Sequence, residues 1–149
     1  MLLTRGFMLD TSTINWILDQ EVSAGDWTLR GPVVVTDVQL LELMQTPLPE
    51  RRESLLGVLS ILRPSVILPD ALAPMAYDFG LGLEEETYQR SLGRQARLMA
   101  AALGDRFERN FRDALIAEAA LANALTLVTA DAKLARMARS FGIGVEAIH

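Results

Sequence analysis

Cysteine is absent from the 149 residues, which rules out a disulfide framework and a thiolate metal site. Histidine occurs once, as His149 at the C-terminal end, so neither a histidine-rich metal site nor a Ser-His-Asp triad has the residues it needs. Lysine is reduced to Lys133, and nearly all positive charge is arginine. Arginine suits bidentate phosphate contacts, although a bias in genomic base composition explains the same usage. The formal net charge is −5 and the pI about 4.9, which argues against a broad basic nucleic-acid surface while leaving room for a local basic patch. No run is long and apolar enough to span a membrane. Asp10 and Asp19 interrupt the N-terminal segment too early for a signal peptide, and a cytoplasmic location is the expectation. The chemistry must therefore run on carboxylates, hydroxyls, amides and arginine.

Half of the residues are hydrophobic and 22% are charged, as in a soluble globular protein. The length favours a single domain over residues 1–149, large enough to bury a substantial core. Phe7 to Leu9 reads as a short buried strand, followed by a helix from about Thr13 to Gln20. "VSAGDWTLRGP" reads as a loop broken by Gly25, Gly31 and Pro32. "VVVT", Val33 to Thr36, is the clearest β-branched strand. Asp37 is placed to cap a helix carrying "VQLLELMQT"; Pro47 and Pro49 end it and open another over Glu50 to Leu62. "SVILP" is a third strand. Asp70 to Phe79 looks helical, and "EEETYQRSLGRQARLMAAAL" reads as a longer helix weakened near Gly93. "ERNFRDALIAEAALAN" is a helix stopped at Asn123, "LTLVTAD" a strand, "AKLARMARSF" a helix closed by Gly142, and "GVEAI" a last edge strand. Strands alternating with helices predict an α/β fold, a central parallel sheet with helices on both faces in three layers.

Ligands of open parallel sheets collect beyond the C-terminal strand ends, and acids stand at two of them. In "FMLDTSTI" the apolar run ends in Asp10, before Thr11, Ser12 and Thr13. One hydroxyl residue suffices as N-cap, so Asp10 reads as surplus to local structure, or else as an assistant to the cap. Asp131 closes "LVTAD" and reads first as the N-cap of the next helix; Thr129 projects on the same side of the strand. Asp113 lies inside a helix on the face of Ile116, Ala117 and Ala120. A salt bridge with Arg109 at i,i+4 is its ordinary explanation, and a cleft beside small alanines the functional one. Glu42 shares a stripe with Gln39, Gln45 and Thr46, which alone reads as a solvated face. Trp16 and Trp27 read as core or contact residues before stacking platforms for bases, and Met75, Met99 and Met137 as core.

The set says more than its members. Acids from two strand ends and two helices, if they converge, repel one another unless a cation lies between them. Mg²⁺ and Mn²⁺ prefer such oxygen ligands, and an ion of this kind activates water and screens phosphate charge. This points to metal-assisted phosphodiester hydrolysis. An aspartyl phosphatase or phosphotransferase would need a second acid where this chain has Ser12, together with a suitably placed lysine, and a phospho-receiver lacks its acidic pair and strand-end lysine.

"MLDTSTI", "ELM" at Glu42, "RDALIAEAALANALTLVTAD" from Arg112 and the following "AKLARMA" resemble a PIN domain, and within that family the VapC-like toxins of bacterial type II toxin–antitoxin pairs. The resemblance runs from about Phe7 to the last strand, with little that is diagnostic between Pro47 and Gly104. It implies an α/β/α fold and a Mg²⁺- or Mn²⁺-dependent endoribonuclease acting on RNA. It carries the catalytic, metal-holding acids onto Asp10, Glu42, Asp113 and Asp131, and the supporting hydroxyls onto Ser12 and Thr129. It also implies a homodimer and a small cognate antitoxin. RNA still needs positive contacts, for which Arg109 and Arg112, beside Asp113, are candidates; Arg90, Arg94 and Arg97 form a second group that reads equally as a solvated face. A catalytically silent PIN-fold binding module and a non-toxin RNA-processing nuclease are the alternatives.

Overall fold

The computed structural model describes residues 5–67, 94–104 and 107–148, with side chains undescribed at 94 and 107–109. The elements are β1 (Phe7–Leu9), α1 (Thr11–Asp19), α2 (Ala24–Arg30), β2 (Val33–Thr36), α3 (Asp37–Met44), α4 (Pro49–Leu62), β3 (Ser65–Ile67), α5 (Arg94–Leu103), α6 (Phe107–Ala122), β4 (Thr126–Thr129), α7 (Ala132–Ser140) and β5 (Val145–Ala147). The helix expected over Asp70 to Phe79, the start of the long helix before Gly93, and Met75 lie outside the described residues.

All pairings are parallel, in the order β3-β2-β1-β4-β5. The chain builds outward from β1 to β3, then returns to the other side of β1 for β4 and β5. That reversal opens a crevice between the C-terminal ends of β1 and β4.

Side chains alternate across the strands with period two, and the core divides accordingly. Phe7, Leu9, Val33, Val35 and Val128 face one way, onto Ile14 and Ile17 of α1, Trp27 of α2, Leu43 of α3 and Leu55 and Leu62 of α4. Met8, Val34 and Leu127 face the other way, onto Met99 of α5, Leu115 and Ile116 of α6 and Leu134 of α7. The central strands β1, β2 and β4 are buried almost throughout because both of their faces are covered, whereas the edge strands β3 and β5 are partly exposed. Met99 and Met137 are core, as expected. No helix among the described residues is long and apolar enough to cross a membrane.

Three expectations are corrected. The segment read as a loop contains helix α2, from Ala24 to Arg30. Gly25 falls in its first turn, and tertiary packing supplies what propensity does not. Trp27 is buried and meets Phe7 edge-on at 6.0 Å. The Arg30 guanidinium lies 4.5 Å from the Trp27 ring and 4.8 Å from that of Phe7, and its two nitrogens bind Glu146 of β5 at 2.8 and 2.6 Å. Second, α3 is capped by Thr36, whose hydroxyl accepts from the Val38 N–H at 3.0 Å, while Gln39 returns its side chain to the Thr36 N–H at 2.9 Å. Asp37 is therefore the first helical residue. Third, α1 begins two residues before the expected Thr13, at Thr11.

Glycine is required where β1 starts. Gly6 has φ +148°, and a Cβ there would stand 2.7 Å from the Pro32 carbonyl oxygen, the atom that accepts the Phe7 N–H at 2.8 Å.

Trp27→Ala removes the buried anchor of α2 and is expected to cost about 3–5 kcal/mol. Arg30→Ala, which loses only half-exposed contacts, is expected to cost about 1 kcal/mol. Urea unfolding of both variants checks the order; equal losses would mean that the ion pair, not the indole, holds this helix.

Candidate active site

The Asp10 carboxylate, only 3% exposed, stands where β1 enters α1. Its Oδ1 accepts the Thr13 N–H at 2.9 Å, so Asp10 is itself the N-cap, and the expectation that it is surplus to local structure is corrected. The carboxylate wins because its position already has the extended backbone of a cap (φ −77°, ψ 172°), leaving the hydroxyl residues inside the first turn. Those hydroxyls then turn back onto it. Thr13 Oγ1 lies 2.8 Å from Oδ1; Ser12 Oγ lies 2.8 and 2.9 Å from the two oxygens; the Thr129 hydroxyl donates to Oδ2.

The same hydroxyls tie β1 to the end of β4. Ser12 Oγ accepts the Ala130 N–H at 3.1 Å, and Thr129 Oγ1 accepts the Asp131 N–H at 3.0 Å. Each hydroxyl thus receives from an amide and donates to the acid, an alignment in which each bond polarises the next. Thr13 Oγ1 has one hydrogen and two acceptors, Asp10 and the Val128 carbonyl at 2.7 Å. Burial pushes the Asp10 carboxyl above its ordinary value of 3.8, and bonds from Thr129, Thr13 and Ser12 pull the other way without cancelling it.

Asp131 caps α7, accepting the N–H groups of Lys133 and Leu134 at 2.9 and 3.2 Å, as its position predicts. Two acids thereby cap the N-terminal ends of helices. Glu42 is half-buried on α3 and accepts the Thr11 hydroxyl at 3.0 Å. The stripe read around it as a solvated face is corrected at Gln39, which is fully buried and donates from Nε2 to the Leu9 carbonyl at 3.0 Å. Gln39 closes the α3 capping box against β1 and so carries Glu42 toward Asp10. Asp113 lies half-buried on α6 at the border of the buried Ile116, Ala117 and Ala120. Arg109 sits one turn before it on α6, but its side chain lies outside the described residues. Arg90 is likewise outside them, as is the Arg94 side chain, and Arg97 is exposed.

Asp10, Glu42, Asp113, Asp131, Ser12 and Arg112 all line one cleft of about 690 Å³ at the β1–β4 crevice. Thr129 stands beneath Asp10, fully buried. Trp16, Asn15, Asp19 and Gln20 line the cleft too; of these the sequence offers only Trp16 as a possible contact for bases. A signal existed, since Ser12, Asn15, Trp16 and Asp19 repeat at i, i+3, i+4 and i+7. Arg51 of α4 holds this stripe, binding Asp19 at 2.8 and 3.0 Å and Asn15 Oδ1 at 2.7 Å. The Trp16 indole N–H is buried without an acceptor, which costs about 1–3 kcal/mol. Trp27 is core as expected; Trp16 is instead half-buried on the cleft wall.

Oxygen donors alone line the acidic part of the cleft, a set matched in chemistry to a hard divalent cation. A buried carboxylate raised by desolvation is a group whose cost such a cation would offset. Among the described residues, however, no three carboxylates close on a common point as a ready-made metal group. The donor set is suited to a cation, and the ion would have to draw these side chains together.

A family model described as the PIN domain matches residues 7–140. Among solved structures, DNA-bound VapBC from Salmonella typhimurium is similar at a TM-score of 0.53 and 20% identity, over 95% of this chain and 97% of that one. FitAcB from Neisseria gonorrhoeae is similar at a TM-score of 0.45 and 17% identity, over 93% and 95%. No curated protein sequence matches at significance.

The raised Asp10 sets a sign for pH dependence. The folded state holds this proton more tightly than the unfolded chain, so the associated stability is full below 3.8 and is lost as pH rises through the raised value. Metal-free protein is therefore expected to lose stability relative to Asp10→Asn over that window, whatever constant offset the amide introduces. Urea midpoints across pH check this; a gap that stays constant with pH would contradict the buried-acid reading.

Proposed function

The chain belongs to the PIN domain family, and from that premise we propose that it is a divalent-metal-dependent endoribonuclease, the toxin of a type II toxin–antitoxin pair. PIN domains are generally nucleases. The observation that carries the reading is the arrival of Asp10, Glu42, Asp113 and Asp131 at one cleft from two strand ends and two helices.

In this reading those acids hold Mg²⁺ or Mn²⁺, with Asp10, Glu42 and Asp113 as principal ligands and Asp131 completing the set. Bound there, the ion acts as a Lewis acid that offsets phosphate charge and lowers the pKa of water. The chain's own residues do the rest. Ser12, Thr13 and Thr129 fix the Asp10 carboxylate through hydroxyls anchored on β4, and Thr11 fixes Glu42. Arg112, on the cleft wall, binds a phosphate of the RNA backbone, and Arg109, from the sequence alone, is a second candidate. One of the acids accepts the proton of the attacking water, and the hydroxyls keep the remaining carboxylate oxygens oriented. An acidic protein can bind RNA in this way because the contacts needed are local.

We extend the reading to a single PIN unit over residues 1–149, a homodimer, a cytoplasmic location and a small cognate antitoxin. The similar Salmonella protein is a VapBC complex, which supports the antitoxin. A catalytically silent binding module is favoured by one observation, the absence among the described residues of a ready-made trio of acids. An RNA-processing nuclease outside any toxin pair would share the same site.

The purified protein is expected to cleave structured RNA with Mg²⁺ or Mn²⁺ and to stop with EDTA. Asp113→Asn should lower the rate about 100-fold or more with its circular dichroism unchanged. Absence of both cleavage and metal binding across many RNAs would leave only the silent module. Expression alone is expected to arrest growth, with relief by a neighbouring small protein; active cleavage without growth arrest would point to the processing role.

A further inference from the structure

The cleft has two chemically different halves. One holds Asp10, Glu42, Asp113 and Asp131 with their hydroxyls. The other is the outer face of α1, where Asn15, Trp16, Asp19 and Gln20 line the wall with no aliphatic side chain among them, the Asp19 carboxylate being paired with Arg51. Trp16 lies four residues beyond Ser12, which binds Asp10, so its Cα is about 6 Å along the helix axis from that of Ser12. The ring is packed against the core formed by α1, α2 and α4; the residue is half-buried and lines the cleft. Its neighbour Asn15 is locked from two sides, by Arg51 at 2.7 Å and by its own amide donating to the Thr11 carbonyl at 3.0 Å. The Asn15 carboxamide therefore braces the wall, and Gln20 presents an amide beyond it. The Trp16 N–H is itself buried, so what the indole can offer a substrate is its ring rather than its donor.

We propose that Trp16, on the wall braced by Arg51 and Asn15, is a stacking platform for the nucleobase next to the scissile phosphate of a single-stranded RNA segment. This rests on the nuclease reading above and adds a binding subsite to it. The occupant is a base rather than an aliphatic group, because the wall offers one π-face surrounded by amides and charge. Stacking on an indole accepts any base; Gln20, at the far end, is the residue able to read an edge.

The test uses the full chain and a short mixed-sequence single-stranded RNA in Mg²⁺, followed by stopped-flow tryptophan fluorescence and by steady-state cleavage. The RNA is expected to quench the wild type, and the quench should vanish in Trp16→Phe because Trp27 is buried in the core. Trp16→Leu should raise KM or the binding constant roughly 5- to 150-fold with little change in kcat; Trp16→Phe, which keeps a ring, should lose less. An RNA carrying an abasic nucleotide at the cleavage site should bind the wild type and Trp16→Leu alike. Unfolding midpoints close to wild type in Trp16→Phe exclude a merely structural effect. Cleavage with unaltered KM in Trp16→Leu, or loss of antitoxin affinity alone, overturns the platform and leaves the nuclease standing. Failure of the wild type to bind or cleave any RNA removes both.

Discussion

The buried carboxylate of Asp10 receives hydrogen bonds from its own helix and from the end of β4, the strand beside it in space and more than 100 residues away in sequence. Satisfying it requires α1 to start immediately, the Thr13 N–H and hydroxyl to point back, and Thr129 to lie directly across. Ser12 joins the two sides, since it also accepts from Ala130. One acid thus fixes the register of the crevice in which the other acids stand, and the α1–β4 junction is a polar seam beside the apolar centre of the sheet.

The sheet order explains why the crevice is there. With β2 and β3 on one side of β1 and β4 and β5 on the other, the connections leave β1 and β4 on opposite faces. Helices α1 and α7 therefore begin from neighbouring strand ends with their positive ends near the same cleft. Each is capped by an acid, so helix capping and the gathering of negative charge are the same structural event. Gln39 does the corresponding work for α3. Its buried carboxamide closes the turn after β2 and binds the last carbonyl of β1, and Glu42 follows one turn later.

Stability and site chemistry pull against each other here. Asp10 is buried against its charge preference, and the Trp16 N–H is left without an acceptor on the cleft wall. Features of this kind persist where the surroundings over-determine them, and they gather at functional sites. The surrounding order is supplied by Arg51, which fastens α4 to the outer face of α1, and by Arg30, which clamps α2 across Phe7 to Glu146 on the edge strand.

Much of the fold was legible because it is local. "VVVT" is β-branched, "LTLVTAD" ends in a cap, Pro49 opens α4 and Gly142 follows α7; each is a property of a few adjacent residues. The alternation of elements is enough to specify a parallel sheet. Helix α2 was not legible, because its burial depends on Phe7 and Glu146, which only the folded chain brings near. Gln39 was misread for the same reason: amides on helices are usually solvated, and this one is buried by a neighbouring strand. The cap role of Asp10 was obscured because Ser and Thr are equally good caps, and only the backbone conformation at residue 10 decides among them. By itself the sequence determined which side chains were available, acids, hydroxyls and arginine without thiol or imidazole chemistry, and which strand ends carried them. The tertiary structure alone decided that Asp10, Glu42, Asp113 and Asp131 share a cleft with the Trp16 face of α1, because proximity across the sheet depends on strand order, and strand order leaves no mark on neighbouring residues.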